Sequence, residues 1–316
     1  MKSLSLSRYG SLEHLRLAER PEPTPDRGQV RIKVQATSLN PADYKVATGE
    51  VKFLHGRRFP LTLGYDFSGV IDAIGPEVST YKPGDEVFGF LPYGPFNNQG
   101  AFAEKVVAEV SCIARKPKDV PHAQAAAAAT SGLTAIQSLR DLGKLKPGGR
   151  VLITGVSGGV GSIAVGVASR LDAGEIVAIG SGPGLQLAHK LGAQKVIDRK
   201  NQDVFAFTDG SFDVIFDAAA AYRWSQWNRH LRPGGAFVST LPSAGLIADK
   251  FKSLVSSSRV TFVNVKCRAA DLELLGKWMS QGLAVPLDST VPLEQVPQAL
   301  AKLGKGAVLG KVAVTV

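Results

Sequence analysis

Cysteine is nearly absent: the 316 residues hold only Cys112 and Cys267, far apart and outside any C-x-x-C spacing. Neither a disulfide framework nor a thiolate zinc cluster is indicated, and both cysteines are expected to be small buried apolar residues. The histidines, His14, His55, His122, His189 and His230, lack the i, i+4 spacing that puts two imidazoles on one helix face, which argues against a histidine metal site. No run of about 20 uncharged apolar residues occurs, and Met1–Arg20 contains no apolar stretch of signal-peptide type. The expectation is a cytosolic protein that does not cross a membrane. Low-complexity sequence is confined to Ala125–Ala129, which reads as helix.

Positive charge is in excess, with 37 Lys and Arg against 27 Asp and Glu and a net charge of +10. Such a balance favours an anionic partner, nucleic acid or a phosphate-bearing small molecule. The basic residues are dispersed rather than gathered into a tract, so solubility is the simpler reading and nucleic acid is not expected as a partner.

Val30, Ile32 and Val34 alternate with Arg31 and Lys33, the period of a half-buried strand. Further short strands are expected around 67–74, 86–90 and 103–107, separated by turn signals such as Gly75-Pro76 and Pro83-Gly84-Asp85. This first third reads as a small β-barrel. From Pro121 the pattern changes: 122–139 is helix-compatible, and strands at 150–154, 175–179, 195–197, 213–216, 236–239 and 260–263 alternate with helices at 159–170, 185–191, 224–230 and 272–281. Alternation of that kind predicts a parallel sheet covered on both faces. The tail 286–316 returns to strand-like pieces that complete the first domain. The expected division is 1–118 with 285–316, and 119–284.

The strand Val151–Thr154 runs into Gly155-Val156-Ser157-Gly158-Gly159-Val160-Gly161 and then a small-residue helix. Glycines let the backbone turn tightly and approach a pyrophosphate, and the helix start offers unpaired N–H groups at a positive dipole end. Ser157, Gly158, Gly159 and Val160 are therefore expected to bind a dinucleotide. The next strand ends at Gly180-Ser181-Gly182, about 20 residues on, where an NAD site usually carries an acid for the ribose 2′-hydroxyl. No acid stands there. Gly180 and Ser181 leave room for a 2′-phosphate, and Arg199 and Lys200 either supply its countercharge or are solvated loop cations. NADPH is the expected cofactor.

Ser38-Leu39-Asn40-Pro41-Ala42-Asp43, Leu63-Gly64-Tyr65-Asp66-Phe67-Ser68-Gly69-Val70, Gly84-Asp85-Glu86-Val87, Gly100-Ala101-Phe102-Ala103-Glu104, Gly132-Leu133-Thr134-Ala135, the glycine turn and Gly310-Lys311-Val312 are collinear with one family. In these segments the chain resembles the quinone oxidoreductase branch of the medium-chain dehydrogenase/reductase superfamily, and is similar to its alkenal and enone reductases. The resemblance implies an α/β fold: a GroES-like, mostly β catalytic domain plus a Rossmann, doubly wound parallel-sheet domain. Zinc-dependent members place ligands where this chain has Asn40, Tyr65 and, nearby, Ala127. Their four-cysteine lobe is missing too, since 91–100 contains no cysteine. No metal is expected.

Without a Lewis acid a simple alcohol is a poor substrate, whereas a quinone or an α,β-unsaturated carbonyl delocalises the charge that arrives with hydride. The expected activity is NADPH-dependent reduction of such an acceptor. Candidate catalytic donors are the Asn40 amide, the Tyr44 hydroxyl and the Lys45 ammonium. Each also has a structural reading: a turn before Pro41, a core residue, a solvated cation. The family often has Tyr at the position of Lys45, so this chain departs there. Asp66, where metal-using relatives have Glu, is expected to brace a loop or pair with a cation. The resemblance further implies that Thr134 lies near the nicotinamide end, that Thr240, Leu241, Val263, Asn264 and Val265 border the cofactor crevice, and that the protein is a homodimer joined along 260–263. Two alternatives stay open: an enoyl-thioester reductase with a basic entrance at 52–58, including Arg57 and Arg58, and a non-catalytic NADPH-binding protein with affinity for RNA.

Overall fold

The strands follow directly from the apolar runs. In the structure, a computed structural model that describes residues 1–52, 59–92, 99–206 and 212–316, the first strands are β1 (Lys2–Leu6), β2 (Leu15–Glu19) and β3 (Gln29–Ser38). Helix α1 (Pro41–Thr48) precedes β4 (Leu61–Thr62), β5 (Asp66–Ile74), β6 (Glu86–Phe90), β7 (Lys105–Glu109), β8 (Ile113–Arg115) and α2 (His122–Ile136). Then come β9 (Arg150–Thr154), α3 (Gly159–Arg170), β10 (Glu175–Gly180), α4 (Pro183–Lys190), β11 (Lys195–Asp198) and β12 (Phe212–Asp217). The remainder is α5 (Trp224–Trp227), β13 (Leu231–Ser239), α6 (Ala244–Ser253), β14 (Arg259–Phe262), α7 (Ala269–Ser280), β15 (Leu287–Pro292), α8 (Val296–Gly304) and β16 (Lys311–Thr315).

The chain forms two compact units, Met1–Thr130 with Lys266–Val316, and Ser131–Val265. These borders differ from 118 and 285 because local pattern does not say which body a helix packs on. The first half of α2 and all of α7 fall in the first unit, where Gly276 of α7 lies against Phe88 and Pro117, and Ser280 Oγ donates to Asp119 Oδ1 at 2.8 Å.

In the first unit β3 is the central strand of a sheet of order β15-β16-β3-β5-β6-β8, with β7 also on β3. Val30, Ile32 and Val34 are buried. Arg31, on the other face, donates to Asp72 at 2.8 Å. The tail does complete this unit, through β15 and β16, but it also contains α8, which strand-like reading missed. Val296 and Leu300, four residues apart, are its buried face, and Pro297 in the first turn needs no helical N–H partner. A second difference concerns the cysteines. Cys112 and Cys267 form a disulfide with Cα atoms 4.7 Å apart, although 155 residues separate them, because the chain re-enters the first unit beside the turn that follows β7. They are not independent apolar residues.

The second unit is a six-stranded parallel sheet of order β11-β10-β9-β12-β13-β14. Counted within the unit this is 3-2-1-4-5-6, the Rossmann order, with its reversal between β9 and β12. Leu152, Ile215 and Phe237 stand side by side across the sheet and are fully buried. Fully burying one such side chain contributes roughly 1.5–3 kcal/mol. Among the described residues no helix is long and apolar enough to cross a membrane.

Candidate active site

Helix α1 begins where β3 ends, and its first turn is built by sequence: Pro41 at the first helical position, and Asp43 two residues later. The Asp43 carboxylate accepts the backbone N–H of Asn40 at 2.8 Å and that of Gly64 at 2.9 Å, tying the helix start to the segment before β5. Asp43 is fully buried, and its carboxyl is pushed up to about 7, first by loss of hydration, against the pull of these two N–H bonds.

With its backbone held, the Asn40 side chain turns inward. Its Nδ2 donates to Asp66 Oδ2 at 2.8 Å, and its Oδ1 accepts from Lys311 Nζ at 2.7 Å. Asp66, at the first position of β5, also takes Ser38 Oγ at 2.6 Å, the Thr130 N–H at 2.9 Å, the Thr130 hydroxyl, and Lys311 Nζ at 3.3 Å. All of these groups lie in the first unit. Asn40 is 5 % exposed and Lys311 4 %.

The other expected donors are placed differently. The Tyr44 ring packs against Gly304 of α8 and joins the apolar cluster of Leu39, Val46 and Leu300. Lys45 lies partly exposed in the last turn of α1. Arg57, Arg58 and the rest of 53–58 lie outside the described residues.

Sequence reading named Asn40 and Asp66 but gave Lys311 no role. Its signal was present as a lysine opening the buried strand Val312-Ala313-Val314. The Asn-Pro-x-Asp spacing likewise marked Asp43 as a helix-start residue.

The positions that hold zinc in metal-using relatives do not fit a zinc ion here. Asn40 offers an amide whose oxygen already faces an ammonium, Ala127 a methyl group, and Tyr65 a phenol that burial, with Asp43 and Tyr9 nearby, raises well above the usual range. A divalent cation there would meet Lys311 without a thiolate or imidazole to bind it. Among the described residues no cluster of His, Cys, Asp and Glu could hold a metal.

In the second unit the glycine turn has the expected form. Gly155 has φ +67°, and a side chain at Gly161 would meet the Gly155 carbonyl at 2.3 Å, so only glycine permits this approach of α3 to β9. Ser157, Gly158, Gly159 and Val160 lie at the start of α3. Ser157 Oγ donates to the Ser181 carbonyl at 3.4 Å, linking this turn to the end of β10. There the Arg199 N–H donates to the Gly180 carbonyl at 3.0 Å, which sets Arg199 beside Gly180 and Ser181 with its side chain exposed. Thr240 follows β13, where its N–H donates to the Asp217 carbonyl at 3.2 Å, and Leu241 is next. Val263, Asn264 and Val265 follow β14, and the Val263 N–H donates to the Ser239 carbonyl at 2.9 Å.

The fold thus gathers these residues at the carboxyl ends of parallel strands, where ligands of open α/β sheets bind. Thr134 is buried in α2. Asp217 was not singled out from sequence. It ends β12 at the switch in strand order, accepts the Thr154 hydroxyl and the Tyr222 N–H, and has its pKa raised by burial.

Comparison with known proteins agrees with this fold. Residues 26–118 match the alcohol dehydrogenase GroES-like domain, and 191–314 match the zinc-binding dehydrogenase family. A chloroplastic quinone oxidoreductase of Triphysaria versicolor is 31% identical, over 99% of this chain and 98% of that protein. The 2-methylene-furan-3-one reductase of Solanum lycopersicum is 30% identical, over 99% of this chain and 79% of that protein. The quinone oxidoreductase structure from Coxiella burnetii superposes with a TM-score of 0.89 at 28% identity, covering 100% of this chain and 99% of that one.

Proposed function

We propose, for a chain that belongs to the quinone oxidoreductase branch of the medium-chain dehydrogenase/reductase superfamily, that it reduces quinones or α,β-unsaturated carbonyls with NADPH and without zinc. An oxidoreductase with a nicotinamide cofactor is what its relatives support. The observation that carries the finer reading is the Asn40 amide, held between Lys311 and Asp66 at a position where zinc-dependent relatives have a metal ligand.

The start of α3 would hold the pyrophosphate, and Ser181 with Arg199 the 2′-phosphate. Thr134 would lie near the nicotinamide, and Thr240, Leu241, Val263, Asn264 and Val265 would border the cofactor crevice. Bound there, NADPH supplies a hydride. Asn40 has one Nδ2–H engaged with Asp66, and its other N–H is the donor for the acceptor oxygen on which negative charge grows. Such a donor matters for a conjugated acceptor, whose charge is already delocalised, and is too weak an acid to replace a metal in alcohol oxidation.

The test is a steady-state panel of quinones, alkenals and enoyl thioesters with NADPH and NADH. Turnover of free quinones or enones supports the reading. Exclusive turnover of thioesters would move the assignment to an enoyl-thioester reductase, and a salt-dependent gel shift without turnover to RNA binding. The cytosolic location expected from the sequence stands against the Cys112–Cys267 disulfide, a bond that reducing compartments rarely preserve, and fractionation with thiol labelling decides between them.

A further inference from the structure

In the first unit, two side chains of opposite charge hold one neutral amide. An ammonium can only donate, and Lys311 directs its three N–H bonds to the Leu39 carbonyl at 2.8 Å, Asn40 Oδ1 at 2.7 Å and Asp66 Oδ2 at 3.3 Å. Asp66 Oδ2 accepts the Asn40 Nδ2–H at 2.8 Å. An amide so placed has one orientation. Flipped, it would turn its NH₂ toward the ammonium and its oxygen toward the carboxylate, two repulsive contacts where water does not reach.

We infer that Lys311 is a positioning residue for the reduction: it fixes the Asn40 amide so that its second Nδ2–H, unpartnered among the described residues, faces the acceptor oxygen. By drawing electron density through Oδ1, Lys311 also makes that N–H a stronger donor. Lys311 itself has no N–H left for an acceptor, so it acts through Asn40. A buried ion pair adds little net stability over apolar residues of the same volume, so stability alone is a weak account of this cluster. The inference rests on the reading of Asn40 as the donor.

The test is a double-mutant cycle of Lys311→Met and Asn40→Ala, with Lys311→Arg beside it. It measures kcat and KM for a quinone, NADPH affinity by fluorescence, and the side-chain amide signals of Asn40 by NMR. Lys311→Met is expected to lower kcat about tenfold or more, as displacement of a transition-state donor does, while NADPH affinity stays within about twofold. In the Asn40→Ala background it should have no further effect, Lys311→Arg should restore part of the loss, and the Asn40 amide signals should shift in Lys311→Met. An equal loss of kcat in both backgrounds, or unmoved amide signals, overturns the inference.

If Lys311→Met fails to fold because Asp66 is left unpaired, Lys311→Met/Asp66→Asn replaces it in the same cycle. If the wild type reduces neither quinones nor enones, the proposed function fails by itself. The amide signals then still decide whether Lys311 orients Asn40.

Discussion

Asp43 accepts the N–H of Gly64 at 2.9 Å, and through this bond the first turn of α1 and the approach to β5 share one buried carboxyl. Its pKa, about 7 in the folded protein against an ordinary 3.8, means that the native state holds a proton the unfolded chain has lost. Stability from this group is therefore present below the ordinary pKa and declines as pH rises toward about 7. Chemical denaturation between pH 4 and 8, measured on wild type and Asp43→Asn, should show a downward slope that the variant lacks. Parallel curves would contradict the assignment.

The Cys112–Cys267 bond closes a ring around the whole second unit, with a sequence separation of 155. In the chain-entropy model a ring of about that size stabilises by on the order of 5 kcal/mol. Reduction, or Cys112→Ser, should lower the melting temperature by several degrees. Protein denatured without reductant should titrate no free thiol, and two free thiols would contradict the pairing.

Arg199 is exposed beside the end of β10, whose own residues 180–182 include no acid to oppose a 2′-phosphate. A charge-assisted hydrogen bond contributes about 1.5–3 kcal/mol, so Arg199→Ala should weaken NADPH binding roughly ten- to a hundredfold and leave NADH nearly unchanged. Equal weakening of both cofactors would show that Arg199 does not read the phosphate. Wild-type preference for NADH would defeat the NADPH reading altogether.

Because Asn40, Tyr65 and Ala127 do not fit zinc, the purified protein should contain substoichiometric zinc by elemental analysis and keep its activity in EDTA. One tightly bound equivalent, lost together with activity, would refute this.

Strand β14 is the edge of the parallel sheet, and beside it Ile247, Phe251, Leu254 and Val255 are 52%, 70%, 79% and 95% exposed. An open edge next to exposed apolar side chains needs a cover, and we propose a second copy of the chain. Light scattering at micromolar concentration should give a homodimer, and Phe251→Asp with Val255→Asp should shift it toward monomer. A monomeric wild type would end the proposal.

Much of the architecture is set by local pattern, because strand and helix periods are properties of neighbouring residues. Val30, Ile32 and Val34 determine β3, and the turn 155–161 determines a strand, a tight reversal and a helix start with open N–H groups. The missing acid at 180–182 is as readable as a residue that is present. What lay beyond the sequence is what distant segments do to one another. Nothing local to Cys112 points to Cys267, nothing beside Lys311 points to Asn40 and Asp66, and the sides to which α2 and α7 belong depend on which surfaces they cover. The sequence supplies the acceptors, donors and thiols. Tertiary packing alone brings them within bonding distance and strips away the water that would otherwise satisfy them.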